Sequence, residues 1–257
     1  MKKKDIKSGI IIMSAVAMLS GCASQYSIVG VERTRMLVDS RYDGRVSAET
    51  EAFLAPYKQK VDSVTRPVVG RAACYMAPYS PESALSNLLP DILMWAAKDY
   101  GEKPDFAVYN IGGMRAAIAE GDVTVGDIFD VAPFDNKICF VTLSGEKVLE
   151  LFRQIAGNGG EGVSREIRLR MKKDGELTGL TIGGKEVEPT RDYRVATIDF
   201  VAQGNDNMTA FGSSRMVNSP QENSNNVRVL IENYFREAAD KGVAVGGKIE
   251  GRIVVED

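Results

Sequence analysis

Apolar residues recur along this chain in two rhythms, one helical and one strand-like. Phe53, Leu54, Tyr57 and Val61 form an apolar stripe at helical spacing behind Ser47, which can cap a helix, and Glu49 and Glu51, which suit its first turn. Pro56 falls inside this stretch and can kink the helix or delay its start. Leu88, Leu89, Ile92, Leu93, Ala96 and Ala97 mark the buried face of a second helix running to about Tyr100, with Gly101 placed to end it and Trp95 read as core. Pro90 is tolerated only near a helix start, so Ser86 is the expected N-cap. Val148, Leu149, Phe152 and Ile155 predict a helix over 146–156, and Val227, Leu230, Ile231, Tyr234, Phe235 and Ala238 another over 226–239. A short helix is expected just after a turn at Gly121-Asp122.

Strand-like runs cover 67–76, 105–109, 137–143, 166–171, 177–182, 193–200 and 249–255, with hairpin turns at Lys173-Asp174-Gly175 and Gly183-Gly184. A further short β segment is expected over 26–38, before a turn at Tyr42-Asp43-Gly44. Strands and helices mix without a regular βαβ alternation, which predicts an α+β domain. Residues 157–162, Gly-Asn-Gly-Gly-Glu-Gly, satisfy G-x-G-x-x-G, but they follow a helix and none follows them. Dinucleotide binding needs the opposite context, so the stretch is read as a mobile loop.

The amino terminus sets the expected compartment. Lys2, Lys3, Lys4 and Lys7 precede an apolar stretch to about Met18, then Leu19-Ser20-Gly21-Cys22. The stretch is short for a membrane span of ~20 residues and looks like a bacterial lipoprotein signal. The expected organisation is a signal peptide over 1–21, a lipidated arm over 22–46 with the lipid on Cys22, and a domain over 47–257. Ala23 and Ser24 point, by analogy with lipoprotein sorting, to an outer-membrane anchor facing the periplasm of a bacterial cell envelope. Removing 1–21 takes away four Lys and one Asp and moves the formal net charge from −3 to −6. An acidic domain without a Lys/Arg run is not expected to take nucleic acid as a partner.

The sequence contains no histidine. That excludes a Ser–His–Asp triad, a His-ligated zinc site and a mixed His/Asp dimetal centre. A carboxylate-only metal site is not excluded, although no clustered Asp/Glu pattern suggests one. Cys74 and Cys139 both lie in apolar runs, where an exported chain permits either a disulfide or two buried thiols.

The candidate chemistry sits where apolar runs break into polar loops. Asp105 to Tyr109 leads into Asn110-Ile111-Gly112-Gly113-Met114-Arg115, a glycine turn that lets backbone approach a ligand, followed by a planar cationic fork suited to phosphate. Pro133-Phe134-Asp135-Asn136 and Phe200 to Asp206 end in the same way. Taken singly, Phe134 and Phe200 are more often core than stacking platforms, Asp206 is more often a turn former and Asn136 more often a cap. Taken together, the loops hold what nucleoside recognition uses: aromatic faces for a base, amides for its edge, a carboxylate for ribose hydroxyls and an Arg for phosphate.

Four motifs then stand in order: Glu82-Ser83-x-x-x-Asn87-Leu88, Asn110-x-Gly112-Gly113-x-Arg115, Pro133-Phe134-x-Asn136 and Phe200-x-x-x-Gly204-x-Asp206. From about Ser47 to Val255 the chain resembles the C-terminal domain of the 5′-nucleotidase family. The resemblance implies a layered, mixed-sheet α+β fold that grips the substrate's nucleoside. It implies that Phe134 and Phe200 stack on the base, that Asp206 holds the ribose, that Asn110, Gly112, Gly113 and Asn136 belong to the site, and that Arg115 contacts phosphate. It names no catalytic residue and no cofactor in this chain. Family members carry an N-terminal metallophosphatase domain with two metal ions, without a counterpart here. Pro81 stands where many members have a phosphate-binding Arg, and the usual Gly-Gly-Asp-Gly is Gly204-Asn205-Asp206-Asn207. The expectation is therefore the recognition half of a split 5′-nucleotidase, with divalent metals only in a separate metallophosphatase partner. The alternatives are an envelope nucleoside- or nucleotide-binding module without hydrolysis, or a structural remnant of the fold.

Overall fold

The computed structural model describes residues 30–37, 39–40 and 47–256, and the chain divides into two units, 1–52 and 53–257. The signal segment, Cys22 and the turn at 42–44 lie outside the described residues. Residues 30–37, expected to carry most of a β segment, are exposed and have no regular structure. A lone strand would leave its N–H and C=O groups without partners. Among the described residues no helix is long and apolar enough to cross a membrane.

The helices are α1 (Ala48–Thr65), α2 (Ala84–Ala96), α3 (Val125–Val131), α4 (Gly145–Gly157), α5 (Asp199–Ala202) and α6 (Val227–Asp240). The strands are β1 (Val68–Ala72), β2 (Phe106–Tyr109), β3 (Gly121–Thr124), β4 (Ile138–Ser144), β5 (Gly162–Val163) and β6 (Ile167–Lys172). They continue as β7 (Leu177–Ile182), β8 (Lys185–Glu186), β9 (Asp192–Ile198), β10 (Arg215–Asn218) and β11 (Ile253–Glu256). Helix α1 starts as expected, with the Ser47 hydroxyl accepting the Thr50 N–H at 3.4 Å. No residue along it is buried, and its stripe of Phe53, Leu54, Tyr57 and Val61 is exposed.

Helix α2 corrects the expected cap. Its N-cap is Ser83, not Ser86: the Ser83 hydroxyl accepts the Ser86 N–H at 3.1 Å, and the Ser86 hydroxyl accepts the Ser83 N–H at 2.8 Å. This reciprocal capping box starts the helix early enough to put Pro90 inside it. The Ser86 carbonyl, which Pro90 has no N–H to reach, abuts Gly162, where an added Cβ would meet it at 2.8 Å. The helix ends through a 3-10 turn at Gly101, whose φ of +65° is the left-handed conformation glycine takes readily.

The central sheet has the order β10-β4-β9-β2-β5, with β2 and β9 parallel and the other pairs antiparallel. Phe106 pairs with Val195 and Phe140 with Ala196, so the pleat sends Phe106 and Phe140 to opposite faces. Phe106 meets Phe152 of α4, with ring centroids 5.4 Å apart, and Phe140 meets Tyr100 just beyond α2, also at 5.4 Å. Helices α4 and α2 therefore cover opposite faces of a mixed sheet, giving the layered α+β domain. A second sheet, β11-β6-β7-β8, and the pair β1-β3 complete it.

Several boundaries differ from expectation. Gly121-Asp122 opens β3 against β1 instead of turning the chain, and Met76 keeps only a bridge to Ile118. Phe200 leaves β9 for the short helix α5. The closing strand starts late, at Ile253, and runs over Ile253–Glu256. Cys74 and Cys139 are both free thiols. The glycine-rich 157–162 stretch, expected to be a mobile loop, packs into the domain: Gly160, Glu161, Gly162 and Val163 are buried, and Gly162–Val163 pairs with β2. Glycine is required there, because an added Cβ at Gly160 would meet the Pro81 carbonyl at 2.5 Å.

The Glu82–Asn87 motif forms a clamp. The Glu82 carboxylate accepts the Asn87 amide at 2.6 Å and the N–H groups of Glu250 at 2.7 Å and Ile253 at 3.3 Å. Together with the buried Arg252, paired to Asp91 at 2.8 Å, it ties the carboxyl-terminal strand to α2.

Candidate functional site

Topology brings the three polar loops to one end of the central sheet. β2 and β9 run parallel side by side, so Asn110 and Phe200 leave the sheet at the same edge. β4 runs the other way, with Ile138 opposite Ile198, so the 133–136 loop enters at that edge. There Asn110, Gly112, Gly113, Arg115, Phe134, Asn136, Phe200 and Asp206 line one cavity of about 310 Å³. This is the scale of a small-molecule site. All eight residues singled out in the sequence are thus brought together.

The aromatic pair is not core. Phe134 is 47% and Phe200 36% exposed, large apolar rings left open at a cavity wall. The Phe134 loop is fixed from behind by Arg228 at the start of α6. Its guanidinium donates to the Phe134 carbonyl at 2.7 Å and the Ala132 carbonyl at 3.2 Å, and pairs with the Asp135 carboxylate. That hydrogen bond holds the Asp135 carboxyl below its usual range. The Asn136 carbonyl accepts the Val227 N–H at 3.0 Å.

Asn110 is buried at the head of a 3-10 turn over Ile111–Gly113, and its amide donates to Asp206 Oδ2 at 2.5 Å. It therefore aims the carboxylate, a more specific task than general polar contact. An added Cβ at Gly113 would meet Asn110 Oδ1 at 2.7 Å, so any side chain there displaces the Asn110 carboxamide. Arg115 is exposed, and its guanidinium donates to the Gly112 carbonyl at 3.3 Å.

Asp206 and Asn207 sit at φ +52° and +60°. Side chains are uncommon there, although Asp and Asn tolerate it best, and each such residue costs about 1 kcal/mol or more. The surroundings hold the turn. Asn158 donates to the Asp206 carbonyl at 2.9 Å and accepts from the Asn207 amide at 3.3 Å, and Asn205 donates to the Phe200 carbonyl at 2.8 Å.

Behind the turns lies Glu161, which sequence reasoning missed. It is 8% exposed; one carboxylate oxygen accepts the Ile111 N–H at 2.6 Å and the other the Asn158 amide at 3.3 Å. Burial pushes its carboxyl up to about 7; the Ile111 N–H opposes this and the nearby Asp206 charge adds to it. Its one signal in the sequence is a charged residue inside a glycine run. Asn158 and Arg228 carry no signal at all, being a polar residue at a helix end and a cation on a helix.

The family model for the 5′-nucleotidase C-terminal domain matches residues 68–213, a span that contains all eight cavity residues. The chain belongs to this family. This 5′-nucleotidase C-terminal domain is 33% identical over 120 residues to Protein UshA of Salmonella pullorum, covering 45% of this chain and 21% of that one. It is 29% identical over 187 residues to the trifunctional nucleotide phosphoesterase YfkN of Bacillus subtilis, covering 67% and 12%. Among solved structures it resembles a 5′-nucleotidase precursor from Thermus thermophilus, with a TM-score of 0.69, 25% identity, and coverage of 81% of this chain and 43% of that one. The chain thus spans about a fifth of the UshA relative and under half of the Thermus structure. In the family's terms, Asn207 takes in left-handed conformation the place where the usual motif has its last glycine.

Proposed function

We propose that this domain recognises the nucleoside part of a nucleotide for a split 5′-nucleotidase, in which a separate metallophosphatase chain hydrolyses the phosphate ester. The observation that carries this reading is the cavity itself: two open aromatic faces, an aimed carboxylate and an exposed Arg line it together. Phe134 and Phe200 sandwich the base. Asp206, oriented by Asn110, accepts hydrogen bonds from the ribose hydroxyls. Arg115 reaches a phosphate oxygen, with no second Arg at position 81 to share the task. The divalent metals and the activated water belong to the partner, and this sequence has no histidine to ligate them. The lipid on Cys22 would hold the domain at the envelope, facing the periplasm, where a soluble or anchored partner can meet it.

The test is calorimetric titration of the full chain with adenosine and adenosine monophosphate, followed by co-purification with metallophosphatases of the same organism. Phe134→Ala should weaken binding by about 1–3 kcal/mol, the worth of one stacked base. Failure of the wild-type chain to bind either ligand would sink the recognition role. Failure of every such metallophosphatase to bind it or gain activity from it would sink the split-enzyme arrangement.

A further inference from the structure

The cavity's two polar turns come from distant parts of the chain, and one buried side chain touches the supports of both. Ile111 opens the Asn110–Gly113 turn, and its N–H donates to Glu161 Oε2 at 2.6 Å. Asn158 steadies the Asp206–Asn207 turn by donating to the Asp206 carbonyl at 2.9 Å and accepting from the Asn207 amide at 3.3 Å. The same Asn158 amide also donates to Glu161 Oε1, at 3.3 Å. Across the gap, Asn110 closes the circuit by donating to Asp206 Oδ2 at 2.5 Å.

We propose that Glu161 is a positioning residue of the nucleoside cavity: by bracing both turns from behind, it sets where the Asp206 carboxylate stands and so favours ribose-bearing ligands over free bases. This rests on the nucleoside reading given above. Glu161 is absent from the residues lining the cavity and acts through Ile111 and Asn158. The bracing matters because Asp206 and Asn207 both hold positive φ with side chains attached, a conformation that relaxes unless its surroundings fix it. The aromatic walls are anchored outside these two turns, Phe134 by Arg228 and Phe200 by its place in α5 directly after β9, so losing Glu161 leaves the base-stacking surfaces in place.

The experiment compares the full wild-type chain with Glu161→Ala, Glu161→Gln and Asn158→Ala. Adenosine and free adenine are titrated into each, and amide hydrogen exchange is measured without ligand over 105–115 and 203–209. Glu161→Ala should raise exchange in both segments and weaken adenosine by about tenfold, the scale of one lost buried hydrogen bond. Adenine should change by less than about threefold, since stacking is retained. Glu161→Gln keeps an acceptor for the Ile111 N–H and should recover protection over 105–115 but not over 203–209, with intermediate adenosine affinity. Combining Glu161→Ala with Asn158→Ala should cost less than the two single losses together, because they share one support.

Unchanged exchange in Glu161→Ala overturns the bracing role. Equal losses for adenosine and adenine overturn the ribose preference and leave a general structural role. If the wild-type chain binds neither ligand, the nucleoside reading and the ribose preference fall together, while the exchange data still decide the bracing.

Discussion

Glu161→Gln should reshape the pH dependence of folding. The Glu161 carboxyl is raised from 4.5 to about 7, chiefly by burial, with Asp206 adding to the rise and the Ile111 N–H resisting it. In the unfolded chain the group titrates near its ordinary value. Between about pH 4.5 and pH 7 the folded state therefore keeps a proton that the unfolded state has lost. Stability from this group is fully present below that window and falls as pH rises through it. At about 1.4 kcal/mol per pH unit, the whole window is worth about 3 kcal/mol. The glutamine variant has nothing to titrate at this position, and groups that do not interact with it cancel in the comparison. The unfolding free energy of variant minus wild type should rise by about 2–3 kcal/mol from about pH 5 to about pH 8. Urea unfolding followed by fluorescence measures it directly, because Trp95 is the single Trp of the sequence and packs edge-on against Tyr234 at 5.2 Å. Parallel stability curves, with a constant gap across that range, would refute the argument that burial holds this carboxyl near neutrality.

Two other substitutions probe the turns. Gly113→Ala brings a Cβ to within 2.7 Å of Asn110 Oδ1, so the carboxamide must move off Asp206. The expected result is a loss of about 1–3 kcal/mol in denaturant unfolding, accompanied by weaker adenosine binding. Arg115→Ala should weaken adenosine monophosphate more than adenosine in parallel titrations, and an equal loss for both would contradict a phosphate contact.

Most of the fold and all eight cavity residues could be read from the sequence, because they depend on local patterns. Helical spacing marked α2, α4 and α6, and β-prone runs marked β2, β4, β6, β7 and β9. The cavity residues sit where apolar runs break into glycine, amide and charge, and their ordered motifs carry the family resemblance. The errors arose where a distant contact overrode a local preference. Pro90 argued for a late start to α2, but the Ser83–Ser86 box fixes an early one and Gly162 makes room for the freed carbonyl. The stripe on α1 has helical spacing but stays exposed, since spacing reports a face and not what covers it. The glycine run at 157–162 has the composition of a loose loop, yet its missing side chains let it pack under Pro81 and beside β2.

Local residue patterns specified most of the elements and the chemical inventory of the candidate site. They could not place three loops at one edge, because that follows from β2 and β9 running parallel while β4 runs against them. Nor could they find Glu161, whose importance lies in bonds to residues 50 positions back at Ile111 and only three back at Asn158, and through Asn158 to Asp206. Side chains that contact a ligand leave a local trace of glycine, aromatic and amide. Side chains that hold those contacts in position are defined only by what the folded chain brings against them.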